Sequence, residues 1–121
     1  MSKQMIVKIH DPIFRQTFLV YCNYSFDAFH KEVLNKDYNG ENGVCDVLDG
    51  YCINTDNAEI CIWLKDHTNI PSLVHELQHA MQYALYDRCF VDRREYELPA
   101  YYMEFLTKEF LELSSKEVKD E

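Results

Sequence analysis

A chain of 121 residues that is 47% hydrophobic, with one Trp, nine Tyr and seven Phe, has the length of one domain and the aromatic mass for a modest core. Its net charge is −9, and its densest basic run, Asp92-Arg93-Arg94-Glu95, is locally neutral, which argues against nucleic acid as a partner. The five cysteines are odd in number and form no C-x-x-C, no apolar leader opens the chain, and no apolar run reaches membrane-spanning length. The expectation is a cytoplasmic protein with reduced thiols that does not span a membrane. An acidic surface favours basic or neutral peptides over acidic ones, though only weakly.

Met5 to Ile9 alternates as a strand does and stops at His10-Asp11-Pro12. Thr17 to Cys22 is rich in β-formers and predicts a second strand. Ser25 can cap a helix to about Asn35, with Phe26, Phe29, Val33 and Leu34 on one stripe. Residues 39–43 read as a loop, Val44 to Leu48 as a short extended segment, and Asp49-Gly50 as a turn. Tyr51 to Asn54 and Glu59 to Leu64 predict a hairpin around Thr55-Asp56-Asn57. Asn69 or Thr68 can cap a helix to about Tyr86, with Pro71 in its first turn. Asp87 to Glu95 reads as a charged connector, and a last helix runs from about Glu97 to Leu113. Residues 114–121 look like a solvated tail after a single domain of residues 1–113. Strands and one helix first, then two helices, is an α+β order.

The chemistry sits in residues 72 to 85, SLVHELQHAMQYAL. On a helix, Ile70, Leu73, Leu77, Ala80, Met81 and Ala84 form one stripe. His75, His79, Gln82 and Tyr86 lie opposite, with Glu76 and Tyr83 at the edge. The two histidines are one turn apart, so both imidazoles can reach a single zinc ion. Glu76 follows the first of them, where a carboxylate can hold a water beside the metal without binding it. The plain alternative is an amphipathic helix with two histidines on its wet side.

A catalytic zinc needs a third protein ligand and an open position. The extended string H-E-x-x-H-x-x-G-x-x-H would put glycine at position 82 and histidine at 85, where this chain has Gln82 and Leu85. Cys89 could close the site with a thiolate. A carboxylate from the last helix is the better candidate: Glu97 comes after a connector long enough to reverse direction, and Ala100, one turn on, would let the helices approach. Glu95, Glu104 and Asp92 compete with it. The plain alternative for Glu97 is a carboxylate at a helix N-terminus.

His75-Glu76-Leu77-Gln78-His79 followed by Glu97-x-x-Ala100-Tyr101 resembles the gluzincins, zinc metallopeptidases whose third ligand is a glutamate on a following helix. In size the chain is most similar to the small zinc peptidases of phages and prophages. The resemblance spans about residues 58 to 113. It implies a compact zincin-like domain: a small antiparallel or mixed sheet, then the motif helix and a glutamate-bearing helix. It implies His75, His79 and Glu97 as zinc ligands, Glu76 as general base, and a peptide or protein substrate. Many gluzincins carry an aspartate four residues after the ligand glutamate to orient a histidine. Tyr101 stands there in this chain and would take that role, or the histidine is oriented otherwise. The resemblance also implies that Ala58 to Leu64 pairs with an extended substrate. The donor that stabilises the oxyanion would come from Tyr83, Tyr86, Tyr101, Tyr102 or His67. Two other readings remain: a peptidase-like zinc protein without catalysis that binds or inhibits a partner, and a metal-free helical interaction protein.

Overall fold

The alternation at the N-terminus becomes β1 (Met5–Asp11), which pairs antiparallel with β2 (Gln16–Cys22), Ile9 opposite Phe18. The computed structural model describes residues 3–34, 49–55 and 59–119. Asp11 closes the β1–β2 turn. Its carboxylate accepts the Ile13 N–H at 2.8 Å and the Tyr102 hydroxyl at 2.8 Å. β3 (Gly50–Asn54) pairs antiparallel with β4 (Glu59–Leu64), and β4 pairs in parallel with β2. The sheet is mixed and four-stranded, in the order β1-β2-β4-β3. With helices α1 (Phe26–Leu34), α2 (Ile70–Gln82) and α3 (Glu97–Lys119), the fold is α+β.

Strand alternation divides the core between the two faces of this sheet. Ile60, Ile62 and Leu64 of β4 join Val7, Ile9, Phe18 and Val20 under α2 and α3. Leu73, Leu77, Ala80, Leu106 and Phe110 cover them from the helices. Cys61 and Trp63 point the other way, into a smaller cluster with Tyr21, Phe26 and Phe29 beneath α1. Ser25 caps α1 as expected, its hydroxyl accepting the Ala28 N–H at 3.1 Å.

Three expectations change. Of Ala58 to Leu64, expected to offer an edge to substrate, Ala58 lies outside the described residues and the rest is the interior strand β4, paired on both sides and buried from Ile60 to Leu64. A continuous apolar run fits a strand covered on both faces. The edge beside α2 belongs to β3, at the end of the sheet among the described residues. The last helix does not stop at Leu113 but continues to Lys119, because buried Ser114 continues its inner side; residues 115–118 are exposed, as a solvated tail would be. The motif helix is α-helical only to Gln82 and then widens into a π-helix, Tyr83–Arg88. The expected loop 39–43, the extended segment Val44 to Leu48 and the turn residues Asp56 and Asn57 lie outside the described residues.

The π-helix delivers Arg88 to the end of the β3–β4 pair. Its guanidinium donates to Asn54 Oδ1 at 2.8 Å, to the Thr55 carbonyl at 2.9 Å and to the Glu59 carbonyl at 3.1 Å. This ties the edge strand to the end of the motif helix. Arg88→Met keeps the aliphatic stem and removes these three hydrogen bonds together with a longer one to Gln16 Oε1 at 3.5 Å. It should cost about 2–3 kcal/mol, read from the denaturant midpoint, because partly buried acceptors lose a charged partner.

Candidate functional site

Asn69 starts α2. Its side chain accepts the Ser72 N–H at 3.2 Å, and Pro71 sits in the first turn, where no intrahelical donor is needed. Leu73, Leu77, Ala80 and Met81 are buried as the apolar stripe requires, although Ile70 stays 45% exposed at the helix start. His75 and His79 are exposed, their ring centroids 4.9 Å apart and their planes at 82°. Glu76 is only 6% exposed. One ligand atom from each of His75, Glu76 and His79 lies within 4.8 Å of the others, the one such group of three among the described residues.

These three side chains share a pocket of about 260 Å³ with Gly50, Tyr51 and Cys52 of β3 and with Tyr83. The edge strand is therefore the opposite wall. Gly50 makes the close approach possible: a Cβ there would stand 2.7 Å from Glu76 Cγ and 2.9 Å from Glu76 Oε2. Gly50→Ala must push the carboxylate out of its place. Because a misplacement of about 1 Å at a reacting group costs on the order of 10²-fold in rate, this variant should lose about that much of any hydrolytic turnover. Bound zinc, measured by elemental analysis, should be unchanged.

Burial pushes the Glu76 carboxyl above its ordinary value, and the neighbouring His75 and His79 pull it back only in part. A raised carboxyl is suited to taking up a proton and releasing it again. Tyr83 is also pushed up, first by burial and then by Cys52 and Asp87, so it remains a phenol that can donate a hydrogen bond at neutral pH.

The other donor candidates are engaged elsewhere. Tyr102 is buried and donates to Asp11. Tyr86 lies under the Arg93 guanidinium, 4.6 Å from its ring centre. His67 is held by Asn23, whose Oδ1 accepts the His67 backbone N–H at 3.0 Å and whose amide nitrogen lies 3.1 Å from the ring Nδ1. Tyr101 is 64% exposed on α3 and is not among the pocket-lining residues. Of the five tyrosines and histidines considered from sequence, Tyr83 alone lines the pocket.

Glu97 is exposed in the first turn of α3 and is not part of the His75–Glu76–His79 group. The physical reason is the flank on which α3 packs. Val74 lines a groove with Met103, Glu104 and Leu111 of α3, whereas Glu76 faces β3. Two residues apart on a helix is about 200° of rotation, so α3 and the pocket lie on opposite sides of α2. Glu104 belongs to that far groove, Asp92 is held by Arg94 at 2.8 Å, and Glu95 accepts the Glu97 N–H at 3.0 Å.

Sequence reasoning missed the β3 wall. Asp49-Gly50 reads as a turn, yet Gly50 is the first residue of the strand. Nothing local in the chain announces that its missing side chain is needed by a glutamate twenty-six positions on. Compared with protein-family models, curated proteins and solved structures, the chain matches none of them.

Proposed function

We propose that the chain is a zinc-dependent peptidase of zincin type. His75 and His79 hold the metal, and Glu76 is the general base. The observation that carries this reading is the gathering of His75, Glu76 and His79 within 4.8 Å, in a pocket walled by the edge strand β3. The donor set fits the ion. Two imidazoles at Zn–N distances of about 2.0–2.1 Å bring their nitrogens roughly 3.3 Å apart, within the 4.8 Å that the ligand atoms now span.

Zinc in this place would supply an electrophile and an acidified water. The protein's own residues do the rest. Glu76, sheltered by Gly50, holds the attacking water and takes its proton, then returns that proton to the leaving amine. The Tyr83 phenol donates to the oxygen on which negative charge develops. The outer edge of β3, at the end of the sheet among the described residues, offers backbone groups to an extended peptide, which would lie across the histidines. The acidic surface suits a neutral or basic substrate better than an acidic one.

The test is zinc content of protein purified without added metal, beside His79→Ala and Glu97→Ala. Near-stoichiometric zinc in the wild type, lost in His79→Ala and retained in Glu97→Ala, is the expected result. Loss in Glu97→Ala would restore that glutamate to the ligand set and require α3 to shift when metal binds. Zinc that stays in His79→Ala would sink the proposal. Zinc bound as expected, with no cleavage of an unstructured polypeptide, would leave a binding protein built on a peptidase-like site.

A further inference from the structure

A site that binds catalytic zinc uses three protein ligands and leaves one position open. His75 and His79 provide two. Glu76 cannot be both ligand and base, and Glu97 lies with α3 on the other flank of α2. Among the described residues the pocket holds one further side chain of metal-binding type, Cys52. Resting on the zinc reading above, we infer that Cys52 is the third metal ligand, giving a His-His-Cys site.

Strand alternation carries the argument. Gly50 faces Glu76, and residues two apart on a strand share a face, so Cys52 points toward α2 as Gly50 does. Its neighbour Ile53 packs instead with the cluster under α1. From Gly50 to Cys52 is about 6.6–6.8 Å along the strand, close to one helical turn of about 5.4 Å along α2. Cys52 therefore stands beside His79 and Tyr83 as Gly50 stands beside Glu76. Its sulfur lies outside the 4.8 Å group, so the side chain must turn toward the histidines when metal binds.

The other described cysteines are placed elsewhere. Cys61 faces α1, and Cys22 is buried with its thiol toward the Val20 carbonyl. Cys89 accepts a hydrogen bond from Gln16 at 3.5 Å. On binding, the Cys52 thiol gives its proton to solvent and the thiolate takes the coordination position. A thiolate also lowers the net charge of the ion and its ligands. That favours zinc, cobalt or ferrous iron over magnesium or calcium.

The full-length chain loaded with Co(II) tests this directly, because a cobalt–thiolate bond gives a near-ultraviolet charge-transfer band that histidine and carboxylate ligands do not. The expected result is that band in the wild type and in Cys89→Ser and Glu97→Ala, and its loss in Cys52→Ser. A second measurement needs no variant at Cys52: zinc should slow alkylation of Cys52 by iodoacetamide at least tenfold, read by peptide mapping, and should not do so in His79→Ala. Cobalt bound through His79 without a thiolate band, or zinc bound with Cys52 alkylation unchanged, would overturn the Cys52 assignment and leave the zinc reading standing. A band that disappears in Cys89→Ser would also overturn it. No binding of either metal would overturn both.

Discussion

Glu76→Gln should lower polypeptide hydrolysis by about 10²–10⁴-fold, the usual contribution of a general base, while zinc content stays at the wild-type level. The same substitution should stabilise the metal-free protein. Glu76 is 6% exposed, and its carboxyl is raised above the ordinary value by burial. Well below the 4.5 of an unperturbed glutamate, the carboxyl is protonated in both folded and unfolded chains and costs nothing. As pH rises, the unfolded chain ionises first, so the native state loses relative stability; the loss is complete once pH passes the raised folded value. Glutamine has no such titration. Metal-free Glu76→Gln should therefore exceed the wild type by about 1 kcal/mol at neutral pH, the scale of one imperfectly satisfied buried polar group, or roughly 3–6 °C in Tm. The difference should vanish in acid. Equal melting of the two proteins at neutral pH would mean that the carboxylate is solvated in solution. A stability gain paired with a loss of activity is the signature of a residue kept for chemistry rather than for folding.

Trp63→Ala should cost about 3–5 kcal/mol, a large part of the roughly 5–15 kcal/mol that holds a domain of this size together. Trp63 is 1% exposed and fills the space between β4 and α1. Its ring meets Phe26 edge-on at 5.1 Å, and its indole N–H donates to the Tyr24 carbonyl at 2.8 Å. Truncation leaves a cavity and an acceptor without its donor. Trp63→Phe would leave a smaller void and lose the same hydrogen bond, so it should fall between. Chemical denaturation followed by far-ultraviolet circular dichroism is the measurement, since the chain has no other tryptophan to report by fluorescence. The pocket is on the opposite face of the sheet, so zinc affinity of the folded fraction should be unaffected. A cost below about 1 kcal/mol would mean that α1 does not pack on the sheet in solution.

The motif helix was legible because its signals agree: an Asn cap, a proline in the first turn, and an apolar stripe opposite two histidines one turn apart. The first two strands were legible for a similar reason, with alternation on one side of a turn and a β-rich run on the other. The β3–β4 hairpin was legible too, but not its place in the sheet. Which strand lies at the edge depends on the parallel pairing of β2 with β4, and strand pairing across forty residues leaves no local trace. The unbroken apolar run of β4 was the clue that both its faces are covered. The third ligand was sought downstream because the resemblance points there, and helical spacing could not tell on which flank of α2 the last helix would pack. Gly50 and Cys52 entered the site from upstream, through a contact between strand and helix that only the folded chain creates.

The π-helix behind the motif separates two angular references along one continuous rod. A π turn closes its hydrogen bond one residue later than an α turn, so Tyr83–Arg88 absorbs an extra residue without a break in the helix. Upstream, the phase is fixed by Leu73, Leu77 and Ala80, which aim the histidines at the pocket. Downstream, it is fixed by Arg88 and its three acceptors at the end of the β3–β4 pair. Removing one residue from this stretch would leave an ordinary α-helix that still delivers Arg88 to those acceptors, whereas winding all six residues as α-helix would carry Arg88 about 100° past them. In that α-helical winding the histidines would keep their aim while the edge strand lost its tether. Metal binding and the span of the cleft are thus set by separate parts of the same helix, and the winding of one turn between them is enough to alter the second without the first.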